Sequence, residues 1–212
     1  RTGGKAAWRD GVARVIAVRE AVGADVQMAV DCHSRFDLSE ALQVAQAMGD
    51  LDLMWFEEAV DVSRIDELRA ITRTVAMPTA SCETLFGAPA FRPYLDQHVV
   101  DFIMPDVKHD GGLRETWLIA ESARGTNVTV SPHNPAGPVA TVASAQVMSA
   151  SATTGLLEFP FGEVPWRADV LDPPEPLDRG RVVLNDAPGL GHRLNPDFMK
   201  DARITLRPAP RT

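Results

Sequence analysis

One polar residue recurs at the end of each short apolar run in this chain, at intervals of 23 to 27 residues: Asp31, Glu57, Glu83, Asp106, His133 and Glu158. The runs are Val26 to Val30, Leu53 to Phe56, Met77 to Ser81, Val99 to Met104, Val128 to Val130 and Leu156-Leu157. Between them the apolar residues fall at helical spacing, so each interval measures one βα unit of a parallel sheet. When such strands curl into a barrel their carboxyl ends share one rim, and residues spaced one unit apart meet at a single mouth. An α/β barrel is therefore expected over residues 1–160. Six strands fall short of the usual eight, which take about 250 residues, so the front of the barrel is expected to be missing from this chain.

The local signals agree with that pattern. A first helix is expected from Trp8 to Val22, with Val12, Val15, Ile16 and Val22 on one face and Gly23 as its stop. Asp37 and Glu40 form a capping box ahead of Leu38, Ala41, Leu42, Ala45 and Met48. A helix is expected around Ile65, Leu68 and Ile71, another from Gly111-Gly112 to Ala123, and a third from about Val139 to Ala150. Pro89 and Pro93 are expected to break up the segment between the third and fourth strands. Beyond Phe159 the chain turns polar and proline-rich, with Pro173-Pro174, a short strand Val182 to Leu184 and a Pro188-Gly189-Leu190-Gly191 turn. Residues 161–212 are expected to be an extension that wraps the barrel or completes a neighbouring domain.

Composition narrows the function. A 45% apolar chain of 212 residues can bury one sizeable core, and no stretch nears the roughly 18 apolar residues of a membrane span. The net charge of -8 repels phosphate backbones and anionic lipid, so no nucleic-acid and no membrane partner is expected, and a cytoplasmic location is. Cys32 and Cys82 are too few for a disulfide framework and are expected to be buried thiols on adjacent strands.

Asp31, Glu57 and Glu83 each read singly as a solvated surface charge. Behind three consecutive apolar strands they become three hard oxygen donors that repel one another unless a cation joins them. A set without His or Cys favours Mg²⁺ or Mn²⁺ over Zn²⁺. His133 lies one unit after Asp106, so the carboxylate can orient the imidazole as a general base; an isolated histidine would more simply satisfy a backbone carbonyl. His33 stands two residues past Asp31, and strand alternation would turn it to the same side, making it a candidate general acid. Glu58, of opposite parity, is expected to support its neighbour. Glu158 could meet a developing enolate oxygen, Arg35 and Asn134 could meet substrate, and His98, His109 and His192 are read as surface residues, His109 lying near enough to Asp106 for a substrate contact.

Val30-Asp31-Cys32-His33, Trp55-Phe56-Glu57-Glu58, Ser81-Cys82-Glu83, Met104-Pro105-Asp106 and Ser131-Pro132-His133 together resemble the enolase superfamily, mandelate racemase subgroup, over residues 6 to 195. His33 with Arg35, and Pro132-His133-Asn134-Pro135 with Gly137-Pro138, resemble its acid-sugar dehydratases of the galactonate dehydratase type. The resemblance implies a (β/α)7β barrel of which this chain carries strands 3 to 8, without the N-terminal capping domain, the extension packing on both. It implies Mg²⁺ on Asp31, Glu57 and Glu83, a His133–Asp106 base, His33 assisting departure of a β-hydroxyl, and Glu158 hydrogen-bonding the enediolate. It also implies a small-molecule carboxylate substrate and a homo-oligomer. Ala59 departs from the proline usual after the paired glutamates. A racemase or epimerase would share metal and dyad but need a second base, a cycloisomerase would place lysine where His133 stands, and a barrel without activity would bind metal only.

Overall fold

The computed structural model describes residues 7–152 and 155–201. The expected pattern's first residue, 6, and the end of the extension, 202–212, lie outside the described residues, as do residues 153–154 ahead of the sixth predicted strand.

Strand and helix alternate as the spacing requires: α1 (Ala7–Val22), β1 (Met28–Asp31), α2 (Leu38–Ala47), β2 (Leu53–Glu57), α3 (Ile65–Thr72), β3 (Thr79–Ser81), α4 (Ala88–Asp96), β4 (Phe102–Ile103), α5 (Leu113–Ser122), β5 (Thr129–Val130) and α6 (Pro138–Ser149). The strands form one sheet in chain order β1-β2-β3-β4-β5, every pairing parallel. That is the arrangement of a TIM-type barrel wall, with helices on the outer face.

Each strand presents two faces because successive side chains alternate. Phe56, Ile103 and Val130 point outward and pack, fully buried, with Ala41, Ile71, Phe91 and Ile119 of the helices. Trp55, Ala80 and Met104 form a second, smaller cluster on the inner face, where the Trp55 and Phe102 rings lie 5.2 Å apart. Truncating Phe56 to alanine would cost about 3–5 kcal/mol, because so closed a site cannot collapse around the cavity.

The helix ends follow local chemistry. The Asp37 carboxylate accepts from the Glu40 amide at 2.8 Å and the Glu40 side chain accepts from the Asp37 amide, completing the capping box. Gly23, at φ 78°, ends α1, since the left-handed region costs glycine nothing. Val22 does not share the buried face with Val12, being 40% exposed.

Three further expectations fail. Pro89 and Pro93 do not break the chain, because α4 runs through both. Pro89 sits in the first helical turn, where amides have no partner anyway, and burial of Phe91, Tyr94 and Leu95 outweighs the one bond lost at Pro93. No sixth strand forms over residues 155–158. The Gly155 amide donates to Val130 and the Ser131 hydroxyl to the Leu156 carbonyl, so the segment runs beside β5 with a side chain replacing ladder bonds. Cys32 and Cys82 are buried free thiols, but they follow β1 and β3 and so flank β2 rather than sitting on neighbouring strands.

The segment after Phe159 carries two short antiparallel pairs, β6 (Leu171–Asp172) with β9 (Arg193–Leu194) and β7 (Leu177–Asp178) with β8 (Arg181–Val182), then α7 (Pro196–Asp201). Arg167 ties it to the barrel. Its guanidinium donates to Glu175, to the Ala136 carbonyl and to Thr141, and stacks 4.6 Å from the Phe159 ring centre. Among the described residues no helix is long and apolar enough to cross a membrane.

Candidate active site

Parallel pairing sets the rim. Asp31 and Glu57 are register partners on β1 and β2, and Glu57 pairs with Ala80 on β3, three residues before Glu83. Immediately beyond the strands the backbone turns left-handed at non-glycine residues: His33 (φ 47°), Ser34 (φ 54°), Glu58 (φ 42°) and Cys82 (φ 91°). Such conformations cost of order 1–3 kcal/mol each and collect where a site needs them. They also void arguments from strand parity. His33 reaches Asp31 through a turn, its Nδ1 2.7 Å from Oδ2, with 64% of the side chain exposed. Glu58 folds into the wall, 4% exposed, accepting from the Ser34 hydroxyl at 3.1 Å.

Glu57 is buried, and burial with the nearby charges of Asp31, Glu83 and Glu158 pushes its carboxyl up to about 7 despite a 2.9 Å hydrogen bond from the Trp55 indole. A carboxylate so crowded by its own kind ionises readily only beside a cation. Donor type and charge thus fit a hard divalent ion on Asp31, Glu57 and Glu83. Among the described residues no group of three or more His, Cys, Asp or Glu side chains is arranged to hold a metal as it stands. Asp31 is turned to His33, Glu57 to Trp55 and Glu83 to His133, so ligation requires side-chain rotation.

The other half of the rim is closed. Asp106 is fully buried at the end of β4, and the His133 Nδ1 beyond β5 lies 2.9 Å from its Oδ2. Burial pushes the Asp106 carboxyl up, but hydrogen bonds from His133 and Lys108 outweigh it and hold the group well below the carboxylate range. An ionised carboxylate only accepts, so Nδ1 carries the proton and Nε2 is the basic nitrogen. Nε2 lies 3.3 Å from Glu83 Oε2. Burial disfavours the imidazolium, yet Asp106, Glu83 and Glu158 together hold His133 above its ordinary value.

Glu158 is exposed, and its Oε2 accepts from the Asn134 amide at 2.6 Å. Asn134, expected to meet substrate, is turned into the protein. It is 1% exposed, and its Nδ2 donates to Thr141 and to the Glu158 carbonyl, so it fixes Glu158 and α6. Arg35 is exposed, and its guanidinium makes no hydrogen bond among the described residues. A cavity of about 300 Å³ runs inward from the rim, with Asp31, Glu57 and Glu158 at its mouth and Trp55, Met104 and Leu157 in its wall.

Sequence reasoning missed one neighbour of the dyad: Lys108 Nζ lies 2.8 Å from Asp106 Oδ2. His109, expected near Asp106, has its ring centre 6.3 Å from that of His133. The signal for Lys108 is the short Asp106–Asp110 loop, whose backbone folds back on Asp106 through the His109 and Asp110 amides.

The family model described as Enolase C-terminal domain-like matches residues 1–198. The chain is 33% identical to the D-xylonate dehydratase of Haloferax volcanii over 186 residues, covering 88% of this chain and 45% of that protein. It is 29% identical to the D-galactarolactone cycloisomerase of Agrobacterium fabrum, covering 90% and 52%. The crystal structure of a mandelate racemase/muconate lactonizing enzyme-like protein from Rubrobacter xylanophilus superposes with a TM-score of 0.89 at 34% identity, over 95% of this chain and 52% of that one. The chain thus spans about half the length of the relatives it matches.

Proposed function

The chain belongs to the Enolase C-terminal domain-like family, and on that premise we propose that its rim removes the proton alpha to the carboxylate of an acid sugar and expels the β-hydroxyl, yielding a 2-keto-3-deoxy acid. The observation that carries the reading is the His133–Asp106 dyad, its basic Nε2 directed at the carboxylate cluster.

His133 Nε2 takes the α-proton, and Asp106 keeps the imidazole in the competent tautomer and stabilises the imidazolium. Glu158 and the buried carboxylates bound the space in which the enediolate forms. His33, solvent-facing and paired with Asp31, delivers a proton to the departing hydroxyl, and water leaves an enol that takes a solvent proton at C3 as it tautomerises to the keto acid. A magnesium ion held by Asp31, Glu57 and Glu83 would supply the positive charge that makes so weak a carbon acid accessible. Arg35, exposed at the rim, is suited to a substrate hydroxyl or carboxylate.

The test is keto-acid formation, detected with semicarbazide, by the full-length protein with Mg²⁺ on a panel of pentonates and hexonates, before and after chelation. Product that disappears with the metal supports the proposal. The similarity to a cycloisomerase favours one second reading, lactone opening after the same proton abstraction; it would consume lactone without forming keto acid from any open-chain acid.

A further inference from the structure

Asp106 is fully buried, yet its carboxylate is approached by more than its histidine. The Lys108 amide donates to Oδ1 at 2.8 Å, and the Lys108 ammonium stands 2.8 Å from Oδ2, the same oxygen that receives His133 Nδ1 at 2.9 Å. One residue therefore grips both oxygens, through its backbone and its side chain. The Lys108 side chain is 39% exposed, so its ammonium closes the solvent side of an otherwise sealed carboxylate. His109 approaches Oδ2 no closer than 3.8 Å and does not replace it.

A carboxylate held by one amide and one histidine can still rock about its terminal torsion, which is broad, and carry the imidazole with it. A second donor on the histidine's oxygen narrows that freedom. We propose that Lys108 is a positioning residue for the base: it locks the Asp106 carboxylate in the one orientation that aims His133 Nε2 at the substrate carbon. This rests on the proposed proton abstraction for its kinetic consequence, but not for its structural one.

Two measurements on the full-length protein separate these. In the substrate-free protein, the His133 Nδ1 proton observed by NMR should exchange with solvent at least several-fold faster in Lys108→Met than in wild type, and Lys108→Arg should restore slow exchange. In turnover, Lys108→Met should lower kcat about 10- to 100-fold, the range expected when a reacting group is slightly misplaced. KM should change less than about twofold, and the isotope effect with α-deuterated substrate should rise as proton abstraction becomes limiting. Unchanged proton exchange in Lys108→Met overturns the proposal whatever the enzyme's substrate. A raised KM with kcat retained also overturns it, marking Lys108 as a substrate contact, as does a kcat loss that leaves the isotope effect unchanged. A wild type inactive on every acid sugar would sink the functional reading and leave the exchange result to decide the role of Lys108.

Discussion

The two halves of the rim are built to different standards. On the β4–β5 side, Asp106 is sealed from solvent, both its oxygens are occupied, and only 14% of the His133 side chain is exposed. On the β1–β2 side, Asp31 keeps 33% of its side chain exposed and His33 keeps 64%, on backbone that has turned left-handed. A base must hold one tautomer and one direction before substrate arrives, and buried, saturated hydrogen bonding supplies that. On the proposed reading Asp31 and His33 must reorient around what they bind, and their exposed side chains let them, whereas Glu57 stays buried on β2.

The sharpest way to break this comparison is at the closed half. His133→Asn should cost at least about a thousandfold in α-proton exchange with solvent deuterium, in the upper range for a general base, with no loss of thermal stability beyond a few degrees. The open half should respond differently. His33→Asn should lose dehydration by roughly a hundredfold, measured as keto acid, while α-proton exchange survives, because only the departing hydroxyl lacks its proton donor. Equal loss of exchange in both variants would erase the functional distinction between the halves.

Two stability measurements sharpen the contrast. Arg167→Met should destabilise by about 3 kcal/mol in denaturant titration, since it strands the Glu175 carboxylate, 5% exposed, without its partner. The smallest effect is expected at Asp110, 2% exposed in the loop behind the dyad, which burial and the charges of Asp106 and Glu115 raise to about 6 despite its bond from Thr116. A carboxyl raised in the folded state binds its proton more tightly there than when unfolded, so stability falls as pH rises from about 4 through about 6. Asp110→Asn should therefore be about 1–2 kcal/mol more stable than wild type at pH 7.5, and no more stable below pH 4.

The period of the strand-end residues made the barrel wall legible, because one βα unit has a narrow range of lengths and each strand announces itself by an apolar run. It exposed Asp106 and His133 for the same reason. Parity stopped being informative just past Asp31, where the chain leaves the strand and His33 and Ser34 adopt positive φ. Asn134 read as a substrate contact because a polar residue beside a rim histidine looks exposed, whereas its side chain is buried and bonded to Thr141. Lys108 stayed hidden because its one signal, the tight Asp106–Asp110 loop, shows in the backbone hydrogen bonds and not in the residue types. The helix through Pro93 was lost to a propensity that tertiary burial overrides.

The most direct test of the central claim is release of label from α-deuterated acid sugar by full-length protein with Mg²⁺, read by NMR beside His133→Asn. Rapid loss of deuterium to solvent by wild type and none by the variant is the predicted result. Loss at the same rate from both would contradict the assignment of the His133–Asp106 pair as the base.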